Sequence, residues 1–105
     1  MRFSLTLTSL AAVPFSATAQ PLDDPEKGLA LAQKDCSECH AVIRNDTRSP
    51  RPTAPAFQKI AEIPGMTGTA LYIALQTPHR TMPNLMLEAD ELRDISAYIL
   101  SLKEP

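Results

Sequence analysis

The stretch Cys36-Ser37-Glu38-Cys39-His40 contains both cysteines of the 105-residue chain, with a histidine directly after the second one. Two thiols at this spacing can add across the two vinyl groups of a haem, and the adjacent imidazole can reach the iron from the same turn. The stretch therefore predicts one covalently attached haem c, bound through Cys36 and Cys39, with His40 as an axial ligand of the iron.

Three other chemistries are open to this stretch. A redox-active Cys-x-x-Cys of the thioredoxin type needs a preceding strand and a βαβ context, and the sequence shows neither. A disulfide between Cys36 and Cys39 would close a very small loop and constrain the unfolded chain little. Zinc would need His79 as a fourth ligand, and His40 follows Cys39 without the usual spacer. Haem attachment is the prediction that the residues favour.

The N-terminal residues are typical of a secretory signal. Met1-Arg2 is a short basic head, residues 3–13 are apolar apart from Ser and Thr, and Ala17-Thr18-Ala19 suits a signal peptidase. We expect cleavage after Ala19, which gives a signal peptide at 1–19 and a domain at 20–105. The apolar run is much shorter than the about 20 residues of a spanning helix, so no stable membrane anchor is expected. Export to the periplasm also suits haem attachment, which takes place outside the bacterial cytoplasm.

The composition argues against nucleic acid as a partner and indicates a core with few large side chains. Without Arg2 the domain has nine Lys and Arg against twelve Asp and Glu, a formal charge of −3, and no basic stripe for nucleic acid. Three aromatic residues remain after the signal, Phe57, Tyr72 and Tyr98, and there is no Trp. So few large side chains in a small domain suggest that a flat apolar cofactor forms part of the core.

The periodicity predicts an all-α domain. Four helices are expected: from Pro25 to near Cys36, over 56–63, from a cap at Thr67 or Thr69 to near Pro78, and from near Glu88 onward. The proline-rich residues 41–55 form either a functional wrap or a disordered excursion. The last helix has an apolar face, formed by Leu92, Ile95, Ile99 and Leu102. No alternating strand pattern is present.

Met82 is the preferred second axial ligand of the iron. It lies in a loop before the last helix, and Pro83 follows and stiffens the backbone. A thioether ligand favours ferrous iron and raises the reduction potential. We interpret Met66 and Met86 as packing residues. His79 is the rival ligand, and spacing alone separates it little from Met82.

These residues together resemble the class I mono-haem cytochromes c. The resemblance rests on Gly28, the stretch 36–40, Met82-Pro83 and the ending 94–102, and it covers nearly the whole mature chain. It implies a small cytochrome c fold, with N- and C-terminal helices packed around a covalent haem, and it strengthens Met82 over His79.

The resemblance also assigns packing and support roles. Gly28 resembles the small residue where the first and last helices cross, against Ile95 and Tyr98. Ala32 stands where the family usually has an aromatic residue, which leaves the crossing less filled. The family has a proline carbonyl that accepts a hydrogen bond from the ligating imidazole. Three prolines are candidates here, Pro50, Pro52 and Pro55, and we prefer Pro52.

The function that the resemblance implies is transfer of single electrons between redox proteins, without enzymatic activity. Two alternatives stay open: a haem subunit of a larger oxidoreductase, or a haem sensor of small ligands if Met82 is not a ligand. Four arginines of the loops are expected either to form a basic rim that guides acidic partners or simply to be solvated. They are Arg44, Arg48, Arg51 and Arg80.

Overall fold

Four helices form the regular structure of the protein, which a computed structural model describes at residues 1, 4, 6–15, 23–77, 79 and 81–105. They are α1 (Pro25–Asp35), α2 (Phe57–Ala61), α3 (Gly68–Gln76) and α4 (Ala89–Ser101). Within the described residues there is no strand, and a single isolated β-bridge joins His79 and Met82. The all-α prediction is confirmed. The expected cleavage after Ala19, and Arg80, lie outside the described residues.

The helix ends follow the predicted capping residues. The Asp24 carboxylate accepts hydrogen bonds from the first backbone N–H groups of α1, and Pro25 takes the first helical position. Of the two candidate threonines before α3, Thr67 is the cap, and its Oγ1 accepts from the backbone N–H of Ala70 at 3.1 Å. Glu91 closes the start of α4 by accepting from the N–H of Glu88 at 2.9 Å.

Helices α1 and α4 cross at Gly28, where the backbones approach too closely for a larger residue. A Cβ atom on Gly28 would lie 2.1 Å from the carbonyl oxygen of Asp94 and 2.7 Å from the Cβ of Tyr98. Beside this contact, the Asp24 N–H donates to Oδ1 of Asp94 at 2.9 Å. Ala32, one turn further along α1, is fully buried in the same core. The expected crossing of the terminal helices is therefore present.

The loop between the residues of the motif and α2 is a wrap held by its own hydrogen bonds. The N–H of Ala41 donates to Oγ of Ser49 at 3.0 Å, and the N–H of Arg51 donates to the carbonyl of Cys39 at 3.1 Å. At the end of the loop, the N–H of Phe57 donates to the carbonyl of Ala41 at 2.9 Å. The chain thus returns to the Cys-x-x-Cys-His stretch before α2 begins.

The remaining core lies under α4. A cluster of buried side chains joins the inner faces of all four helices, and it includes the predicted apolar face of α4 except Leu92, which is buried nearby. Helix α2 is shorter than its predicted 56–63, because the chain leaves the helix at Glu62, just before Pro64-Gly65. Among the described residues, no helix has the length and apolar character that crossing a bilayer requires.

Candidate functional site

The attachment motif, residues 36–40, forms a single tight turn directly after α1. Cys36 is the C-cap of that helix, and its N–H donates to the carbonyl of Ala32 at 2.9 Å. The N–H groups of Cys39 and His40 both donate to the carbonyl of Cys36, at 3.2 and 2.9 Å. The turn brings two sulfur atoms and one imidazole together at the end of a helix that is fixed against α4.

The surroundings of Cys36 favour a neutral sulfur atom. Burial, then the charge of Asp35 and then Cys39, raise the pKa of the Cys36 thiol to about 11. The C-terminal end of α1 adds a partial negative charge, which also disfavours a thiolate. A redox-active thiol of the thioredoxin type and a zinc ligand both need the thiolate, whereas a thioether carries no charge. The position therefore suits the covalent bond to a haem vinyl group.

The other two alternatives for the motif find no support in the geometry. Both cysteines are free, so no disulfide joins them. Across the part of the chain that the structure describes, no three side chains of His, Cys, Asp or Glu come close enough to hold a metal ion. The zinc site with His79 is therefore not formed.

The imidazole of His40 is held by a backbone carbonyl of the loop. Its Nδ1 lies 2.6 Å from the carbonyl oxygen of Pro55. Because a carbonyl can only accept, Nδ1 carries a proton, and in the neutral ring Nε2 then keeps its lone pair for a metal. The ring thus has the tautomer that a haem iron needs.

The preference for Pro52 as the supporting proline is wrong, and Pro55 takes this role. The N–H of Ala54 donates to the carbonyl of Arg51 at 3.0 Å, so residues 51–54 form a tight turn. Pro52 occupies the second position of that turn, where its fixed φ is favoured. The chain comes back to the imidazole only after the turn, at Pro55.

Phe57 is a second neighbour of the imidazole, and the sequence identifies it only as one of the three aromatic residues of the domain. The ring centroids of Phe57 and His40 are 5.3 Å apart, with the planes tilted by 51°. Phe57 is 3% exposed. The one feature of the sequence that could have indicated this contact is that Phe57 follows the supporting Pro55 by two residues.

The two rival axial ligands lie on one short turn between α3 and α4. The N–H of Met82 donates to the carbonyl of His79 at 3.3 Å. Met82 is half-buried, whereas His79 is exposed. Ligation of the iron by Met82 stays a prediction.

The other two methionines differ from each other. Met66 packs against the core cluster, as predicted. The packing role of Met86 is wrong, because this side chain is 88% exposed. Its neighbours Leu85 and Leu87 are half-buried, so alternate side chains of this non-helical segment lie towards and away from the protein.

Arg44 is not a free member of the predicted basic rim. Its guanidinium donates to the carbonyls of Ser101 and Leu102 at the end of α4, and it lies 3.5 Å from a carboxylate oxygen of Glu104. A cation here is favoured by the negative end of the helix dipole. Arg44 is therefore a cap for α4.

Two exposed cations, one on the loop and one on α2, border a polar groove. Arg48 and Arg51 are exposed, and Arg48 and Lys59 line a groove of about 360 Å³ that has no carboxylate among its lining residues. Pro55, the support of His40, is part of the same lining. The groove thus places positive charge next to the residue that holds the imidazole.

Gln58 and Tyr98 tie the loop to the end of α4, and the sequence offered no local signal for either contact. The Gln58 side chain, 4% exposed, donates to the Leu102 carbonyl and accepts from the Asn45 N–H at 3.3 Å. The Tyr98 hydroxyl donates to the carbonyl of Val42. Burial raises the pKa of Tyr98, with the nearby Arg44 acting in the opposite direction.

Comparison with known families gives one match. The family model described as Cytochrome c matches residues 25–103, from the first residue of α1 to just beyond α4. No curated protein and no solved structure matches the chain.

Proposed function

The chain belongs to the cytochrome c family, and from this membership we propose that it is an exported, mono-haem carrier of single electrons. The family binds haem c covalently and transfers electrons through it. When bound, the haem supplies a one-electron couple between ferric and ferrous iron. The residues that would hold it are Cys36 and Cys39 through their sulfur atoms and His40 through Nε2.

The observation that carries the proposal is the hydrogen bond between Nδ1 of His40 and the carbonyl of Pro55, at 2.6 Å. It fixes the tautomer and one edge of an imidazole that shares a single turn with both cysteines. A bond of this kind also makes the opposite nitrogen a better donor to a metal. The described residues of the motif therefore fit the family's cofactor.

We further propose that Met82 is the second axial ligand. A thioether at this position would favour the ferrous state and raise the reduction potential relative to bis-histidine ligation. With both axial positions filled there is no open site for a substrate, so an electron carrier without enzymatic activity is expected. Binding of carbon monoxide by the reduced protein at neutral pH would instead favour a sensor of small ligands.

The test is an optical spectrum of the full chain, expressed in a bacterium that attaches haem c. We expect haem that resists acid–acetone extraction and a weak sulfur-to-ferric-iron band in the red. Met82→Ala should lose that band, while Met86→Ala, which changes an exposed methionine, should keep it. Extractable haem would overturn haem c attachment, and a band that survives Met82→Ala would overturn the ligand assignment.

Export and location need a separate measurement. We propose that the signal peptide at 1–19 directs the protein to the periplasm and is then removed. The expected result is a periplasmic fraction whose protein mass corresponds to a chain that begins at Gln20 with one haem added. A full-length chain retained in the membrane fraction would contradict both the cleavage and the absence of an anchor.

The partners are proposed to be redox proteins with an acidic docking surface. The support is the positive charge of Arg48 and Lys59, which line the polar groove, and of the exposed Arg51 on the same loop as Arg48, on a chain whose formal charge is −2. Opposite charges speed encounter, and salt screens them. We expect electron transfer to an acidic redox protein to slow as ionic strength rises, and to slow less steeply for Arg48→Gln. Rates that do not depend on ionic strength would overturn the steering.

A further inference from the structure

We propose that Phe57 is a positioning residue that sets the rotational orientation of the His40 imidazole. The inference rests on the proposed function, because the orientation of this ring matters for electron transfer when Nε2 binds the iron. Phe57 would act through His40 and need not itself touch the cofactor.

The bond to the Pro55 carbonyl leaves the His40 imidazole free to rotate. The bond from Nδ1 of His40 to Pro55 fixes one point at the edge of the ring. A single hydrogen bond to a carbonyl tolerates a broad range of directions. The plane of the ring can therefore still rotate while this bond is kept. A second contact is needed to define the plane of the ring.

Phe57 supplies that contact from a different side. The ring centroids are 5.3 Å apart and the planes are tilted by 51°. This separation is within the range at which tilted aromatic pairs attract, roughly 4.5–7 Å between centroids. Rotation of the imidazole would change the tilt and bring its edge against the phenyl ring.

The phenyl ring is itself well placed to act as a stop. Phe57 is buried, and its backbone N–H donates at 2.9 Å to the carbonyl of Ala41, the residue directly after His40. The backbone bond keeps the main chain of Phe57 beside residue 41, and burial in the core limits rotation of its ring away from the imidazole. Together with Pro55, residues 55–57 hold residues 40–41 by three separate contacts.

The orientation of an axial imidazole leaves a spectroscopic signature that stability alone does not produce. In ferric haem the plane of the ligand directs unpaired spin density to particular pyrrole rings. The order and spread of the haem-methyl proton resonances therefore report this plane when the second axial ligand keeps its own orientation. A change in the rotation of the imidazole should rearrange these resonances while both axial ligands stay bound.

The experiment compares proton NMR spectra of the ferric, haem-loaded full chain. Phe57→Leu removes the flat ring but keeps an apolar side chain, and Phe57→Met is the second variant if the first does not accumulate. We expect both to rearrange the haem-methyl resonances and to shift the reduction potential. Phe57→Tyr keeps the ring, and we expect it to retain the wild-type order.

The control is Leu92→Ala, which empties a buried position of α4 outside the core cluster that contains Phe57. It should lower the melting temperature without reordering the resonances. Wild-type order in Phe57→Leu or Phe57→Met would overturn the inference, as would an equal change in Leu92→Ala. If the wild-type protein carries no covalent haem, the proposed function itself fails, which is a distinguishable result.

Discussion

Replacing Gly28 with alanine should strongly destabilise the protein, although alanine is the better helix former. The added Cβ would lie 2.1 Å from the carbonyl oxygen of Asp94 and 2.7 Å from both the carbonyl carbon of that residue and the Cβ of Tyr98. Two of these three atoms belong to the backbone, so no side-chain rotation relieves the overlap. Helices α1 and α4 would have to separate by at least about 1 Å to relieve the overlap. Backbone shifts of this kind, forced by overpacking, destabilise a protein.

The size of the effect follows from three contributions. Overpacking typically costs about 1–3 kcal/mol, and a backbone obstacle places this substitution at the upper end. Separation of the helices also weakens the bond from the Asp24 N–H to Oδ1 of Asp94, which contributes about 1 kcal/mol. The helix preference of alanine over glycine returns about 1 kcal/mol. The net loss in the free energy of unfolding is therefore about 3 kcal/mol.

The measurement is thermal unfolding of the haem-loaded protein, followed by circular dichroism. For a domain of this size, about 3 kcal/mol corresponds to a decrease of about 12–24 °C in the melting temperature. Gly68→Ala is the matched control, because its Cβ would meet only Cδ1 of Leu100, at an ordinary 3.6 Å. It should leave stability unchanged or raise it by up to about 1 kcal/mol. A Gly28→Ala protein that melts within a few degrees of the wild type would refute the close crossing.

Three further substitutions test the bonds that join the loop to α4. Tyr98→Phe leaves the Val42 carbonyl without its donor, and urea denaturation should show a loss of about 1–2 kcal/mol. Burial raises the pKa of Tyr98 in the folded state, so its contribution to stability is complete below about pH 10. This contribution should be lost as the pH rises through the folded-state pKa, and the phenylalanine variant should lack that loss. Gln58→Met removes the amide donor to the buried carbonyl of Leu102, which keeps only the 3.5 Å bond from Arg44, and it leaves the N–H of Asn45 without its acceptor; it should cost about 1–3 kcal/mol. Arg44→Met removes the cation from the end of α4 and should cost about 0.5–1 kcal/mol at low salt, with a smaller difference in molar salt.

Each of these variants has a matched control variant, which replaces a residue of the same type outside the loop–helix contacts. Tyr72→Phe on α3 should keep the alkaline loss of stability of the wild type. Gln76→Met, at the exposed end of α3, and Arg48→Met, in the loop, should each change stability by less than about 0.5 kcal/mol. An equal loss of stability in a variant and its control would show that the bond removed by that variant contributes little.

The elements that local chemistry decides were predictable from the sequence. Asp24 and Pro25 mark the start of α1 because a side-chain oxygen and a residue without an N–H both suit the first turn of a helix. The apolar spacing of α4 and the close spacing of Cys36, Cys39 and His40 are likewise local. A turn of five residues brings the two sulfurs and the imidazole together without help from distant parts of the chain.

Contacts between distant residues were not predictable in the same way. The choice between Pro52 and Pro55 depends on the path of a loop that is fixed by bonds to Cys39 and Ala41. Arg44 seemed a free loop charge, because its partners lie 57 and 58 residues later. Gln58 likewise finds its carbonyl partner 44 residues away. Spacing within a single sequence holds no information on such pairs.

These distant contacts share one destination, the segment 42–45 that follows the attachment motif. Tyr98 holds the carbonyl of Val42, Arg44 holds the end of α4, and Gln58 holds both the N–H of Asn45 and the carbonyl of Leu102. Asn45 has a φ of 66°, a left-handed conformation that asparagine tolerates better than most residues. The position of the segment 42–45 is therefore fixed by its bonds to α4 and to Gln58.

Gly28 and Phe57 should consequently affect the His40 ring by different routes. Gly28 sets how closely α4 approaches α1, and α4 reaches the imidazole indirectly, through the bonds of the segment 42–45 and through the core cluster that it shares with Phe57. Phe57 contacts the imidazole directly. If those bonds absorb a small movement of α4, ferric Gly28→Ala protein well below its melting temperature should keep the wild-type order of haem-methyl resonances, whereas Phe57→Leu should not. A reordered spectrum in folded Gly28→Ala protein would mean that the helix crossing and the orientation of the imidazole form one cooperative unit.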